Sequence, residues 1–266
     1  MNIDDLGTQL LYTTVPIWVQ YENNNKGTGT GFIYMNPSSN KDGGSIPLLV
    51  TSKHVVENAK RVLIEFAEGD GEKPIIGKSF KVEIDGEFIK QFHNSEHDLS
   101  AIPVGPILNQ IVSNNKNIFF RSITPDLIPE SKIIQDLSAI EEITFIGYPS
   151  GLFDEHNISP IVRKGITATP PWNNYKGEPV FLIDAGVYPG SSGSPVFIMN
   201  QGSFTTKEGL SVGSRLMFLG VISETIIRRE KNQQNVFLGL GKVIKSSIVK
   251  SFIENLTNKL TSEQSS

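Results

Sequence analysis

The stretch Gly-Ser-Ser-Gly-Ser-Pro at residues 190–195 lies between two apolar runs, at residues 180–183 and 196–199. A turn of small residues between two strands lets the backbone approach a bound molecule and present its own N–H groups. Upstream lie Thr-Ser-Lys-His at residues 51–54 and His-Asp-Leu-Ser-Ala-Ile at residues 97–102. Histidine, aspartate and serine in this chain order match one known order of a hydrolytic triad.

The catalytic candidates are His54, Asp98 and Ser192. A neutral serine hydroxyl is a poor nucleophile, and a histidine with a pKa near neutral is suited to act as its base. A carboxylate can fix the tautomer of the imidazole and stabilise its cation, which is the role expected for Asp98. Taken alone, each residue would be read as a structural histidine, a solvated turn acid or a polar turn. Their shared order, flanks and spacing favour the triad.

These motifs resemble those of the chymotrypsin-like serine peptidases, of the bacterial type without a zymogen apparatus. Residues 51–54 are similar to the family's Thr-Ala-Ala-His, residues 98–102 to its Asp-Ile-Ala-Leu, and residues 190–195 to its Gly-Asp-Ser-Gly-Gly-Pro. The resemblance implies a serine endopeptidase that forms an acyl-enzyme on a protein or peptide substrate, without metal or cofactor. It also implies an oxyanion hole made by the backbone N–H groups of Gly190 and Ser192.

The residue before the nucleophile departs from the family pattern. Relatives often carry Asp there, which pairs with a newly cleaved N-terminus and switches on the oxyanion hole. This chain has Ser191, and no segment like Ile-Val-Gly-Gly appears near its start. We therefore expect that activity does not require cleavage of the N-terminus.

The resemblance also implies where the side chain before the scissile bond, the P1 residue, would bind. The base of that pocket falls six residues before the nucleophile, at Gly186, and its wall at Ser223, Glu224 and Thr225. No acid stands at the base, so the lining favours a small or apolar P1 side chain. Glu224 at the rim leaves a basic preference open.

Many short apolar runs separated by turns predict an all-β fold. With the resemblance, we expect two six-stranded antiparallel β-barrels of the chymotrypsin-like type and a C-terminal α-helix. The expected units are residues 1–115 with His and Asp, residues 116–242 with Ser and the specificity pocket, and residues 243–266. In the last unit we expect a helix over residues 243–260, docked on the second barrel, and a disordered tail over residues 261–266. The Asp-Gly pair at residues 85–86 predicts a hairpin.

Composition excludes several functions. The formal net charge of −4 makes nucleic acid an unlikely partner, and the absence of cysteine excludes disulfides and a thiol nucleophile. The four histidines are too scattered for a metal cluster, and the acids within residues 65–72 are more readily read as a solvated hairpin tip than as a calcium site. An acidic start and no long apolar run predict no membrane association, a cytoplasmic location and an intracellular protein target. The oligomeric state stays open.

Two other functions compete with this reading. The first is a catalytically silent, protease-like module that only binds proteins, against which the complete triad argues. The second is an esterase of the α/β-hydrolase type, which needs Gly-x-Ser-x-Gly and the order Ser, Asp, His. Here Ser194 stands in place of the second glycine and no histidine follows Ser192, so the esterase is set aside.

Overall fold

Antiparallel strands dominate the computed structural model, which describes residues 2–38, 44–207, 209–229 and 235–264. The strands are β1 (Thr14–Tyr21), β2 (Lys26–Pro37), β3 (Ser45–Thr51), β4 (Ala59–Gly69), β5 (Pro74–Asp85), β6 (Ser100–Pro103), β7 (Ile118–Phe119), β8 (Glu142–Gly147), β9 (Ile161–Thr167), β10 (Val180–Asp184), β11 (Pro195–Asn200), β12 (Ser203–Thr206), β13 (Gly209–Val212), β14 (Arg215–Arg229) and β15 (Asn235–Lys245). The helices are α1 (Leu6–Leu11), α2 (Lys53–Val56), α3 (Gly86–Lys90), α4 (Gly105–Ser113), α5 (Ser131–Asp136) and α6 (Ser246–Gln264), with 3₁₀ turns at Pro125–Leu127, Pro149–Gly151 and Tyr175–Gly177.

The first half of the chain forms a sheet with the strand order β5-β4-β1-β2-β3-β6, and β7 pairs with β4. Alternate residues of β1, namely Val15, Ile17 and Val19, enter its core, as the two-residue period of a half-buried strand requires. Among the residues that the structure describes, β5 and β6 do not pair, so hydrogen bonds do not close this sheet into a barrel. Strand β7 follows residue 115 in the chain and still pairs with β4 of this first sheet. The domain boundary after residue 115 stays a prediction.

The second half closes into a six-stranded barrel in the order β10-β15-β14-β11-β8-β9. Its core includes Phe145, Ile183, Val196 and Ile222, all buried. The strands β12 and β13 form a separate hairpin. The predicted fold class, an all-β chymotrypsin-like fold with a C-terminal helix, is confirmed.

The two halves share one core and a polar seam. The rings of Phe32 in β2 and Phe218 in β14 pack with their centroids 5.5 Å apart. Near them, the hydroxyl of Ser52 in the first half donates to the carbonyl of Ile222 in the second at 3.0 Å. Both apolar and polar contacts therefore fix one half against the other.

The C-terminal helix begins later and ends later than predicted. Val243 and Ile244 belong to β15, where they pair with β10 and β14, so the helix begins at Ser246. Residues 261–264 continue the helix rather than forming the expected disordered tail, and residues 265–266 lie outside the described part. None of the helices within the described ranges is long and apolar enough to cross a membrane.

Helix α6 packs on both halves of the molecule, not on the second barrel alone. Val249 and Ile253 are wholly buried in the core that the halves share. On the next turn, the hydroxyl of Thr257 accepts a hydrogen bond from the amide of Asn36 in β2 at 2.9 Å. The helix thereby links the end of the chain to the first sheet.

The hairpin predicted at residues 85–86 is wrong. The side chain of Asp85 instead caps α3 by accepting from the backbone N–H of Glu87 at 2.8 Å. A Cβ at Gly86 would lie 1.7 Å from the carbonyl oxygen of Ala59, so glycine is needed for close packing. The Asp-Gly pair reflects a helix cap and a backbone contact rather than a turn.

Truncation of the buried face of α6 should destabilise the protein. Ile253→Ala removes a wholly buried side chain and should lower the free energy of unfolding by about 2–4 kcal/mol. The matched control Ile140→Ala removes an exposed side chain and should change it by less than about 0.5 kcal/mol. Urea unfolding of both variants measures the difference, and equal effects would contradict the described docking of α6.

Candidate active site

Strand pairing brings the candidate base and acid together. His54 lies on α2, directly after β3, and Asp98 precedes β6, which pairs with β3 through Thr51 and Ser100. Nδ1 of His54 lies 2.7 Å from Oδ2 of Asp98. On the other side of the ring, Nε2 lies 3.1 Å from Oγ of Ser192, in the turn before β11. The structure therefore brings all three candidates within hydrogen-bond distance.

The local backbone holds Asp98 in this position. The side chain of Asn94 accepts from the N–H groups of Glu96 and His97, each at 2.8 Å, and so folds the loop before the acid. The second carboxylate oxygen of Asp98 accepts from the backbone N–H of His54 at 2.8 Å. A carboxylate facing Nδ1 favours a proton on that nitrogen, which leaves Nε2 free to accept from a hydroxyl.

Acidic neighbours raise the pKa of His54 above its ordinary value. Burial is the largest single influence, and by itself it lowers the pKa. The hydrogen bond and the charge of Asp98, together with the charges of Glu224 and Glu57, outweigh it. The imidazolium that forms when the ring takes a proton is therefore stabilised, and a neutral base requires a pH above the raised pKa.

The turn that carries Ser192 exposes two backbone donors. Gly190 has a φ of 87°, and a Cβ there would lie 2.5 Å from the backbone nitrogen of Ser150. Glycine is therefore required. The N–H groups of Gly190 and Ser192 have no hydrogen-bond partner among the described residues. They are available to a bound oxygen atom.

These groups border a cleft of about 560 Å³ between the two halves. Its lining residues are Tyr21, Thr28, His54, Val55, Asp98, Pro189, Gly190, Ser192, Ser223, Glu224, Thr225 and Lys242. Three of the predicted substrate-binding residues, from Ser223 to Thr225, are among them.

The predicted pocket base, Gly186, does not line the cleft. The hydroxyl of Thr225, which does line it, donates to the carbonyl of Val187 at 2.7 Å. A Cβ at Gly186 would lie 2.4 Å from the guanidinium of Arg163, which fills the space beside it, and a Cβ at Gly241 would lie 2.5 Å from the side chain of Val187. Thr225 therefore lines the cleft, and Gly186 does not.

Sequence reasoning missed five residues of the cleft, which are Tyr21, Thr28, Val55, Pro189 and Lys242. Tyr21 and Thr28 come from the first sheet, and Lys242 lies opposite Glu224 in the pairing of β14 with β15. The ammonium of Lys242 pairs with Glu178 at 2.6 Å. A signal for Thr28 was available, because it belongs to the Gly-Thr-Gly-Thr-Gly run at residues 27–31. The position of Lys242 depends on a strand bulge that no local pattern indicates.

The acids within residues 65–72 do not converge. Glu65 is buried and bonds to Ser79, whereas Asp70 accepts from the N–H of Lys73 at 2.8 Å within its own turn. Among the residues that the structure describes, no three histidine or acidic side chains form a group suited to a metal ion.

The fold and site define a trypsin-like peptidase. The model of the trypsin-like peptidase domain family matches residues 29–205, about two thirds of the chain, and the chain belongs to that family. The expected class, a serine-type peptidase of the chymotrypsin-like fold, is confirmed at this level. A comparison with curated protein sequences finds no significant match.

Two solved structures of one HtrA-type protease share the fold of this chain at low sequence identity. The HtrA-type protease AlgW with tripeptide is 14% identical with a TM-score of 0.53, covering 94% of this chain and 62% of that one. A variant of AlgW gives 13% identity and a TM-score of 0.52 over the same shares. A serine endoprotease from Yersinia pestis gives 14%, a TM-score of 0.49, and coverage of 94% and 64%. The chain spans less than two thirds of these proteins.

The titration of His54 tests the electrostatics of the site. Its imidazole should titrate above the ordinary value of about 6.5, and Glu224→Gln should lower that pKa because it removes a nearby negative charge. The control Glu155→Gln, an exposed acid that does not influence the ring, should leave it unchanged. NMR of the histidine ring protons measures all three, and a wild-type pKa at or below 6.5 would contradict the described site.

Proposed function

We propose that this protein is a serine endopeptidase that hydrolyses peptide bonds with Ser192 as nucleophile, His54 as general base and Asp98 as the residue that orients it. The observation that carries the proposal is a continuous chain of hydrogen-bond contacts. Oδ2 of Asp98 lies 2.7 Å from Nδ1 of His54, and Nε2 of His54 lies 3.1 Å from Oγ of Ser192. Hydrogen-bond reach between nucleophile and base, with a third group holding the base, is the geometry that this chemistry requires.

The reaction would proceed in two stages, formation of an acyl-enzyme and its hydrolysis. Oγ of Ser192 attacks the carbonyl carbon of the substrate while Nε2 of His54 takes its proton, and the carbonyl oxygen becomes an oxyanion that accepts from the N–H groups of Gly190 and Ser192. The imidazolium then gives its proton to the leaving amine, and the C–N bond breaks to leave an acyl-enzyme. A water molecule then attacks the acyl carbon while Nε2 of His54 takes its proton. The imidazolium returns that proton to Oγ of Ser192, and the bond between Oγ and the acyl carbon breaks to release the carboxylic acid.

The proposed substrate class depends on the residues that line the cleft. Thr225 lines it with its hydroxyl bonded to the carbonyl of Val187, and Gly186, the predicted base of the P1 pocket, does not line it. We therefore favour protein or peptide substrates with a small or apolar P1 residue. The basic P1 alternative rests on Glu224, which lines the cleft. An intracellular target, the cytoplasmic location and activity without N-terminal cleavage stay predictions from the sequence.

Removal of one hydroxyl tests the proposed chemistry. Ser192→Ala should lose labelling by a fluorophosphonate probe and at least about 10⁴-fold in peptide hydrolysis, because no nucleophile remains. Ser194→Ala is the matched control. Its hydroxyl is buried without a hydrogen-bond partner among the described residues, so labelling and hydrolysis should persist. A folded wild-type protein that resists the probe would instead favour the catalytically silent binding module.

Shortening the side chain of Thr225 tests the proposed preference for a small or apolar P1 residue. Thr225→Ala removes the bridge to Val187 and should raise kcat/KM for leucine at P1 relative to alanine by about 10-fold. Thr225→Ser keeps the hydroxyl and should retain the wild-type preference. Peptides that differ only at P1 provide the measurement, and a wild-type preference for lysine or arginine would show that Glu224 dominates instead.

A further inference from the structure

One threonine of the first sheet holds the turn that carries the candidate nucleophile. Thr30 is fully buried in β2. Its hydroxyl donates to the carbonyl of Gly190 and accepts from the N–H of Tyr148, both at 3.0 Å. Its backbone N–H donates to the carbonyl of Ser192 at 2.9 Å. This single residue therefore bonds to the turn on both sides of Ser191.

Hydrogen bonds to the carbonyls of the turn fix the direction of the two free N–H groups. The carbonyl of Pro189 also has a donor outside the turn, the N–H of Ser150 at 2.7 Å. In a trans peptide the carbonyl and the N–H point to opposite sides. Holding the carbonyl of Pro189 therefore turns the N–H of Gly190 the other way, and the N–H of Ser194, which donates to the carbonyl of Ser191 at 3.0 Å, does the same for the N–H of Ser192. Thr30 holds the two peptides on either side of the Ser191–Ser192 peptide, through the carbonyls of Gly190 and Ser192. The donors of the candidate oxyanion hole are oriented before any substrate binds.

We propose that Thr30 is the positioning residue of the oxyanion hole, and that it replaces the acid that precedes the nucleophile in many relatives. This inference rests on the proposed function. Ser191 occupies the position of that acid, is fully buried, and its hydroxyl has no hydrogen-bond partner within the described ranges. No carboxylate is present there to pair with a cleaved N-terminus, so the turn depends on hydrogen bonds from the neighbouring sheet.

Close packing around Thr30 supports the same role. A Cβ at Gly147 would lie 2.7 Å from its hydroxyl, and a Cβ at Gly193 would lie 1.9 Å from its carbonyl oxygen. Glycine at both positions lets the second barrel approach the threonine from two directions. The contact is therefore built by three elements of the chain rather than by one side chain.

The test removes the hydroxyl and keeps the shape. Thr30→Val should lower kcat by about 10²-fold, because misplaced donors stabilise the transition state poorly. KM should stay within about threefold, since a peptide in its ground state does not use these donors fully. A peptide aldehyde, which forms a tetrahedral adduct with the serine, should bind more weakly by a factor similar to the loss in kcat. Thr30→Ser retains the hydroxyl and should recover most of the activity.

Thr13, a buried threonine with no hydrogen bond to the turn, provides the stability control. The hydroxyl of Thr13 donates to the carbonyl of Leu10, so Thr13→Val loses one buried hydrogen bond without touching the site. It should lower Tm while kcat stays unchanged. If Thr30→Val does not fold, Thr30→Cys, a weaker donor of similar size, takes its place.

The outcomes separate this inference from the proposed function. An unchanged kcat in a folded Thr30→Val protein overturns the inference alone. Equal losses of kcat in Thr30→Val and Thr13→Val, in step with Tm, assign Thr30 a structural role and also overturn it. A wild-type protein without any hydrolysis defeats the proposed function, and the inference with it.

Discussion

The seam between the two halves is the constraint on which the rest of the structure depends. The candidate base belongs to the first sheet and the nucleophile to the second barrel, so their 3.1 Å separation holds only while the halves do not shift. Phe32 and Phe218 fill the seam with apolar surface. The carbonyl of Ile222 accepts both the hydroxyl of Ser52 and the N–H of Gly193, at 3.0 and 2.7 Å. Burial of apolar surface holds the two halves together, and the hydrogen bonds fix their relative position.

The charges around His54 stabilise its protonated form more than its neutral form. Asp98, Glu224 and Glu57 favour the imidazolium, which is the form that would follow proton transfer from the serine in the proposed mechanism. The same charges raise the pKa of His54, so a smaller fraction of the ring is neutral as the pH falls. The site therefore favours the charged intermediate at the expense of activity in mild acid.

The sequence predicted what local patterns encode. Alternating apolar residues indicated the strands, and three motifs with the right flanks indicated His54, Asp98 and Ser192, which the structure brings together. Features set by distant contacts could not be predicted. The hydroxyl of Thr225 bonds to a carbonyl 38 residues away, and the late start of α6 depends on β15 pairing through Lys245. Neither contact leaves a periodic trace in the chain.

The docking of α6 has a consequence for how this protein meets other molecules. Because one helix lies against both halves, a hinge motion that opened the cleft would have to pull Ile253 and Thr257 out of their contacts. Such a rearrangement is costly compared with thermal energy, so the unbound protein already has the conformation to which a ligand binds. Association should then follow a single exponential whose rate rises linearly with concentration, without the plateau that a slow isomerisation imposes.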